Sequence, residues 1–314
     1  MSARTVVTGV ALVAAAMAAS AAKAADTSVT LRDVVARVEV IPEARTDVQV
    51  SITQGRKSFP AMSVGRSGGR LIVDGELRGR IRGCGSFGLH LFMHPHSDRR
   101  NPDARADVIG IGFVGPQDMP LITIRAPMDA HLDASGAVFG RVGPTHSLEL
   151  ANAGCGDWKV EDVSDALTVS IAGSGDIHTG RAGSLRGAIS GSGDLTGGRI
   201  NGQAHIQLSG SSDVKLEAVG ALDASTTGSS DVRIGEITGG PVRVKIAGSG
   251  DVVIDGGRAG DVEVSTAGSG DFRLRGEARN VVASSAGSGD IEVAHASGGV
   301  ARSQAGSGDI RIGH

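Results

Sequence analysis

Serine and aspartate recur together in this sequence at a nearly fixed distance, and that recurrence is its strongest chemical signal. A G-S-G-D or G-S-S-D tetrapeptide ends at Asp176, Asp194, Asp213, Asp231, Asp251, Asp271, Asp290 and Asp309, and a variant, Gly154-Cys155-Gly156-Asp157, precedes them. A hydroxyl beside a carboxylate suggests nucleophilic chemistry, but a nucleophile needs a base that orients it, and glycoside cleavage needs one carboxylate pair at a defined separation. No histidine recurs with the motif; His178, His205 and His295 are scattered through separate units. A motif present eight times reads as architecture, with a carbohydrate-cleaving enzyme on a repetitive scaffold as the alternative. If the units stack, the aspartates form a column. Two unit charges ~5 Å apart repel by about 3 kcal/mol at an effective dielectric of 20 and by under ~1 kcal/mol in water, so something must relieve it. One answer is hydrogen bonding to corner backbone N–H groups, helped by Lys215, Arg233, Arg273 and Arg311 two residues on. The other is a divalent cation, with Ca2+ the candidate cofactor.

Two further clusters have chemical potential. His90, His94, His96 and Asp98 are residue types that Zn accepts, although the spacing matches no strong metal signature and a polar loop over 90–107 is the plainer reading. Cys84 and Cys155 are the two cysteines of the chain. Cys155 takes the serine place of its tetrapeptide, and the flanks of Cys84 (Leu77, Ile81, Phe87, Leu89) repeat the same parity. The thiols are thus expected at equivalent corners, either joined in a disulfide that ties the amino-terminal strands to the first strong unit or left as inert thiols.

The elements that must hold these groups follow from the flanks. Successive tetrapeptides lie 18 to 20 residues apart, and the residues around them alternate in hydrophobicity, as in Val242, Val244 and Ile246 before Asp251 and Val252 and Ile254 after it. A period of two is the mark of a strand with one buried face. Gly- and Pro-rich stretches such as Thr238-Gly239-Gly240-Pro241 supply the turns. A unit of about 19 residues cannot bury its apolar face alone, so units stack. The expected fold is all-β: a parallel β-helix or β-solenoid with one coil per unit, about nine coils, extending about 38 Å over eight intervals at ~4.8 Å each.

Composition agrees and excludes other classes. The chain has 314 residues with 49 Gly, 9 Pro, six Phe, one Trp and no Tyr. This is not collagen, and 40% hydrophobic residues are too many for a disordered tract. The core must be Val, Ile, Leu and Ala. Few aromatics and a formal charge of −3 argue against a nucleic-acid partner. Residues 1–24 have the Arg4 n-region, the apolar Val6 to Ala19 run and the Ala22-Lys23-Ala24 cleavage pattern of a signal peptide, cut between Ala24 and Ala25. The run is shorter than the ~20 residues of a spanning helix, so no membrane span is expected in the mature chain.

These residues resemble a known family. The tandem A-G-S-G-D-[I/V/L/F] units, the earlier Leu132-Asp133-Ala134-Ser135-Gly136 unit and an amino-terminal strand pair at Val48 to Thr53 and Gly69 to Val73 are similar to the GIN-type head domain of bacterial autotransporter adhesins, over roughly residues 35 to 314. The resemblance implies a β-helical envelope or secreted domain of no established enzymatic activity. The expected organisation is a signal peptide (1–24), an amino-terminal β region (25–115) and a solenoid (116–314). The expected function is a structural or adhesive role in the periplasm or at the cell surface, toward envelope polysaccharide or protein. The alternatives are the enzyme or a divalent-cation-binding solenoid. No capping pattern follows Ile312, and exposed strand edges there lead to an expectation of end-to-end homo-oligomers through the last coil.

Overall fold

The computed structural model describes residues 28–84 and 105–313. The signal segment with Ala24 and Ala25, and His90, His94, His96 and Asp98, lie outside the described residues. The regular elements described are all strands, and they build a β-solenoid of about 10 turns, ~19 residues apart, between residues 129 and 312.

Each coil stacks on the next in parallel register. Val242, Val244 and Ile246 lie over Val262, Val264 and Thr266, and after the corner Val252 and Ile254 lie over Phe272 and Leu274. The alternating apolar residues all point inward and merge into one aliphatic core along the stack. At the corner, the first Gly of the tetrapeptide has to be Gly. Gly268 has φ +136°, and a Cβ there would stand 2.2 Å from the Gly248 carbonyl oxygen of the preceding coil. The narrow interior also explains the scarcity of rings. Trp158 is fully buried, and a Cβ on Gly140 in the neighbouring coil would fall 2.1 Å from its indole, so this large ring fits because the adjacent coil supplies a glycine.

The amino-terminal strands join the same stack, out of chain order. They are β1 (Ser28–Glu43), β2 (Gln49–Thr53), β3 (Ser63–Ser67), β4 (Arg70–Asp74), β5 (Ile81–Cys84), β6 (Ala106–Val108), β7 (Gly112–Val114), β8 (Leu121–Pro127) and β9 (Asp129–Val142). β1 runs parallel to β9 on one side, with Val29 beside Leu132 and Val40 beside Val142. On its other side it is parallel to β4 and then β8. The long first strand is therefore a rung inserted between segments that follow it in sequence. The strand pair expected from 48–53 and 69–73 needs correction: both segments are extended, but β2 pairs antiparallel with β8 and β3 with β4. Antiparallel partners end the parallel stack on this side.

β5, β6 and β7 form a separate antiparallel sheet. It packs on the outside of a corner through a second small core of Val35, Leu77, Ala106, Val108, Val114, Met119, Ala137 and Phe139. Ile81 and Cys84 therefore belong to this sheet, with Leu77 in its core, and not to a coil, which corrects the expectation of two equivalent corners; Phe87 and Leu89 lie outside the described residues. The disulfide itself is present: Cys84 and Cys155 are joined, with Cα atoms 5.3 Å apart across a sequence separation of 71.

The coil at the opposite end departs from the pattern. Its inward positions after Val300 are Arg302 and Gln304 where the preceding coil has Ala283 and Ser285, and the Arg302 guanidinium donates to the Ile312 carbonyl at 3.1 Å, across the coil mouth. Inward charge on an edge strand resists further strand addition. Arg302 thus makes one bridge at this mouth, and the end-to-end association expected from the sequence remains to be tested there.

Candidate functional site

The aspartate column is a hydrogen-bonded ladder between coils. The Oδ1 of Asp157 accepts from the Asp176 N–H (3.1 Å), Asp176 from Asp194 (2.9 Å) and Asp194 from Asp213 (2.8 Å). Beyond a break, Asp231 accepts from Asp251 (2.8 Å), Asp251 from Asp271 (2.9 Å), Asp271 from Asp290 (2.9 Å) and Asp290 from Asp309 (2.8 Å). On either side of the break each carboxylate thus accepts from a corner backbone N–H, as expected, and that N–H is the one of the next aspartate up the stack. Charge-assisted bonds of this type offset the repulsion along the column.

The break falls where the motif changes. In the two G-S-S-D coils Ser212 and Ser230 replace the second Gly and are fully buried, with their hydroxyls 3.3 Å apart. The Asp231 N–H donates to the Ser212 carbonyl (3.1 Å) and is only a minor lowering influence on the Asp213 carboxyl. Burial pushes that carboxyl above its ordinary range, and Asp194 and Asp231 on either side add to the effect. Lys215 stands 3.9 Å away.

The serine column keeps a backbone partner throughout. Ser174 N donates to Gly154 O (3.2 Å), Ser249 N to Gly228 O (2.8 Å), and Cys155 N to Gly136 O (3.0 Å) in the same way. Of the cations two residues beyond the aspartates, Arg273 reaches Asp271 (2.9 Å), and Arg311 pairs with Asp309 and reaches Asp290 (3.4 Å). Arg233 does not join the column. It pairs with Asp255 (2.8 Å), the first residue of the next turn. As for a cation, no three His, Cys, Asp or Glu side chains among the described residues are grouped to hold a metal ion.

One constellation went unnoticed in the sequence. Asp129, His146 and Ser147 meet at the surface: Ser147 Oγ donates to Asp129 Oδ1 (2.6 Å), and His146 Nδ1 lies 2.7 Å from the same oxygen. The residue types are those of a hydrolase triad, but the connectivity is wrong. A nucleophilic serine must give its proton to the imidazole, and here it gives its hydrogen bond to the carboxylate. The Ser147 and His146 hydrogen bonds hold the Asp129 carboxyl below its usual range, and Asp129 raises His146, as in an exposed ion pair.

The outer surface of the first strand of each coil is flat. Ser170, Ala188, Gln207, Ser225, Lys245, Ser265, Ser284 and Ser303 stand one above another. A shallow groove of about 420 Å³ on this face is lined by Ser170, Ala172, Ala188, Ser190, Gln207 and Ser209 among others, without an acid, base or metal ligand. The arrangement can offer many weak polar contacts in a row, and it assembles no reactive centre.

Comparison with known proteins follows the repeat. A family model described as "Putative auto-transporter adhesin, head GIN domain" matches residues 121–236 and 234–313, more than half of the chain. One similar solved structure is described as a putative lipid binding protein from Parabacteroides distasonis. It is 17% identical, with a TM-score of 0.44, and the match covers 92% of this chain and 94% of that one. No curated protein matches the sequence.

Proposed function

The chain belongs to the auto-transporter adhesin head GIN domain family, and we propose that it is a non-enzymatic structural or adhesive module that works outside the cytoplasm and presents its flat coil faces to envelope polysaccharide or protein. The observation that carries this reading is repetition. The same Ser, Asp and small-residue columns recur from coil to coil, and solenoid faces of this kind suit extended, repetitive partners. Without exposed rows of aromatic rings, each contact to a glycan is polar and weak, so binding depends on many coils engaging at once. Export is supported by the signal-like segment 1–24 and by the Cys84–Cys155 disulfide, since such bonds persist in oxidising compartments.

The test is a screen of the exported chain against glycans and envelope fractions, with and without calcium, alongside fractionation of expressing cells. Binding to a defined polymer without turnover is expected, with the protein in the periplasm or on the surface. Turnover of any polymer refutes the non-enzymatic reading, and retention in the cytoplasm refutes the proposed location.

A further inference from the structure

The groove on the flat coil face has unused hydroxyls in its lining and unused cations at its borders. Ser170, Ser190, Ser209 and Ser225 line it, and among the described residues none of these hydroxyls hydrogen-bonds to another group. Gln207, also in the lining, leans on His205 Nε2 at 3.0 Å, and His205 Nδ1 lies 3.2 Å from Asp223.

The fixed charge on this face is one-sided. In the outward rows that line and border the groove, the charged members besides His205 are Arg186, Asp223, Arg243 and Lys245, three cations against one acid on a chain whose formal charge is −3. The acid is the one held by His205, and Arg243 has Glu263 at 3.8 Å. Arg186 and Lys245 are exposed, and among the described residues they make no ion pair or hydrogen bond. Register places both at the groove. Arg186 precedes the lining residue Ala188 by two positions on the same face, about 7 Å along the strand. Lys245 stands beside the lining residue Ser225 on the next coil, about 5 Å away. Three coil spacings, about 14 Å, separate the two cations along the stack. The aspartate column lies around the corner, four residues beyond the lining position Ala172.

An unpaired arginine offers a planar fork of donors that matches a carboxylate or phosphate. Unpaired hydroxyls both donate and accept, which suits the hydroxyls of a sugar. Protein interfaces centre on aromatic anchors seated in pockets, and no aromatic residue lines this groove. We infer that the groove takes an anionic polysaccharide, with Arg186 and Lys245 each holding a carboxylate or phosphate of the chain and the serine hydroxyls contacting the sugar rings between them. This inference rests on the polymer-binding reading of the coil faces and narrows it to a charged class of polymer at a defined place.

Titration calorimetry of the chain lacking residues 1–24 provides the test, with polygalacturonate and a phosphomannan as the carboxylate and phosphate polymers, and with neutral dextran and poly-glutamate beside them. Binding is expected to at least one of the two acidic polysaccharides, and the one preferred identifies the anionic group that is held. Dextran and poly-glutamate should bind at least fivefold more weakly, and binding should weaken as salt shortens the Debye length from about 10 Å at 0.1 M toward about 3 Å at 1 M. The double substitution Arg186→Gln, Lys245→Gln should weaken binding about fivefold or more. Lys159→Gln removes an exposed cation that is likewise unpaired among the described residues but lies past the corner on another face, and it should change binding by less than about twofold. An unchanged Tm confirms that the variants are folded. Equal binding of dextran leaves the polymer reading standing and overturns the charged class. Equal binding of poly-glutamate overturns the polysaccharide, and undiminished binding by the double variant overturns the site. Binding to none of the four overturns the inference, and a blank envelope screen would then take the polymer reading with it.

Discussion

Replacing Asp251 by Ala removes the acceptor for the Asp271 N–H, which lies 2.9 Å from Asp251 Oδ1. The backbone around it is fixed by parallel pairing on both sides, so the N–H cannot turn to another protein acceptor. A hydrogen bond to a charged group contributes about 1.5–3 kcal/mol net when well sheltered, and this corner is only partly buried, so about 1–2 kcal/mol is the fitting range. A long repeat array does not unfold in one step, so a global midpoint would blur a loss of this size. Native-state hydrogen exchange reads it locally: the Asp271 amide should exchange roughly 5- to 30-fold faster in Asp251→Ala. Asp251→Asn keeps an oxygen in place and should change the rate by less than about threefold. Asp213→Ala is the internal control, because the Asp231 N–H bonds to Ser212 O and should exchange within about twofold of the parent rate. If Asp251→Ala leaves the Asp271 amide unchanged, or if Asp213→Ala accelerates Asp231 to the same degree, the ladder is not what holds the corners.

Asp213 has a raised pKa in the folded state, so its charge opposes folding at neutral pH, and this opposition fades as pH falls through the folded pKa toward the ordinary 3.8; Asp213→Asn should therefore stabilise the protein at pH 7 in thermal melts and lose that advantage below about pH 4. The His146–Asp129 pair has the opposite signs: the Asp129 contribution is present above its unfolded pKa and lost on acidification through its lowered folded value, and the His146 contribution is present below 6.5 and lost as pH rises through its raised one. An NMR titration of the His146 ring should report the raised value, and His146→Gln should return the Asp129 pKa toward 3.8. Cys155→Ser should cost about 4 kcal/mol on the chain-entropy model, confined to the small sheet and the first coils; exchange protection over 106–114 should fall while that beyond 240 is kept, and uniform loss along the chain would contradict this. Restoring an apolar inward row with Arg302→Val and Gln304→Ile should promote end-to-end association in sedimentation velocity, and an unchanged weight-average mass would show that Arg302 does not guard the edge.

The coils were legible in the sequence because two independent periods coincide there, alternation within strands and a recurrence near 19 residues between them. Volume selection at the inward positions and close approach at the corner both leave direct marks, Val/Ile/Leu in the first case and Gly in the second. The placement of β1 left no such mark. Its partners β4, β8 and β9 are chosen by tertiary packing, and one rung by itself carries no recurrence. For the same reason the small sheet was not anticipated, and the parity around Cys84 imitated a coil because any half-buried strand alternates. The aspartate ladder was half legible: bonding to backbone N–H groups was expected, but not that the bond crosses to the next coil, since the sequence does not show which corner a side chain leans toward. The substitution of Ser212 and Ser230 for Gly was visible in the letters, and only the geometry links it to the break at Asp213.

These constraints leave little of a coil free to vary. The inward row is set by the width of the core, the corner glycines by carbonyl contact with the coil below, and the aspartates by the ladder. The outward row nearest the start of each coil is different. His131, Glu149, Thr168, Arg186, His205, Asp223, Arg243 and Glu263 stack in register, and no two successive members are alike. Some neighbours satisfy one another, His131 with Glu149 (2.9 Å) and His205 with Asp223 (3.2 Å). Exposed pairs of this kind contribute little to stability. Their variety is therefore not demanded by the fold, and this row is where one coil is chemically distinguishable from the next.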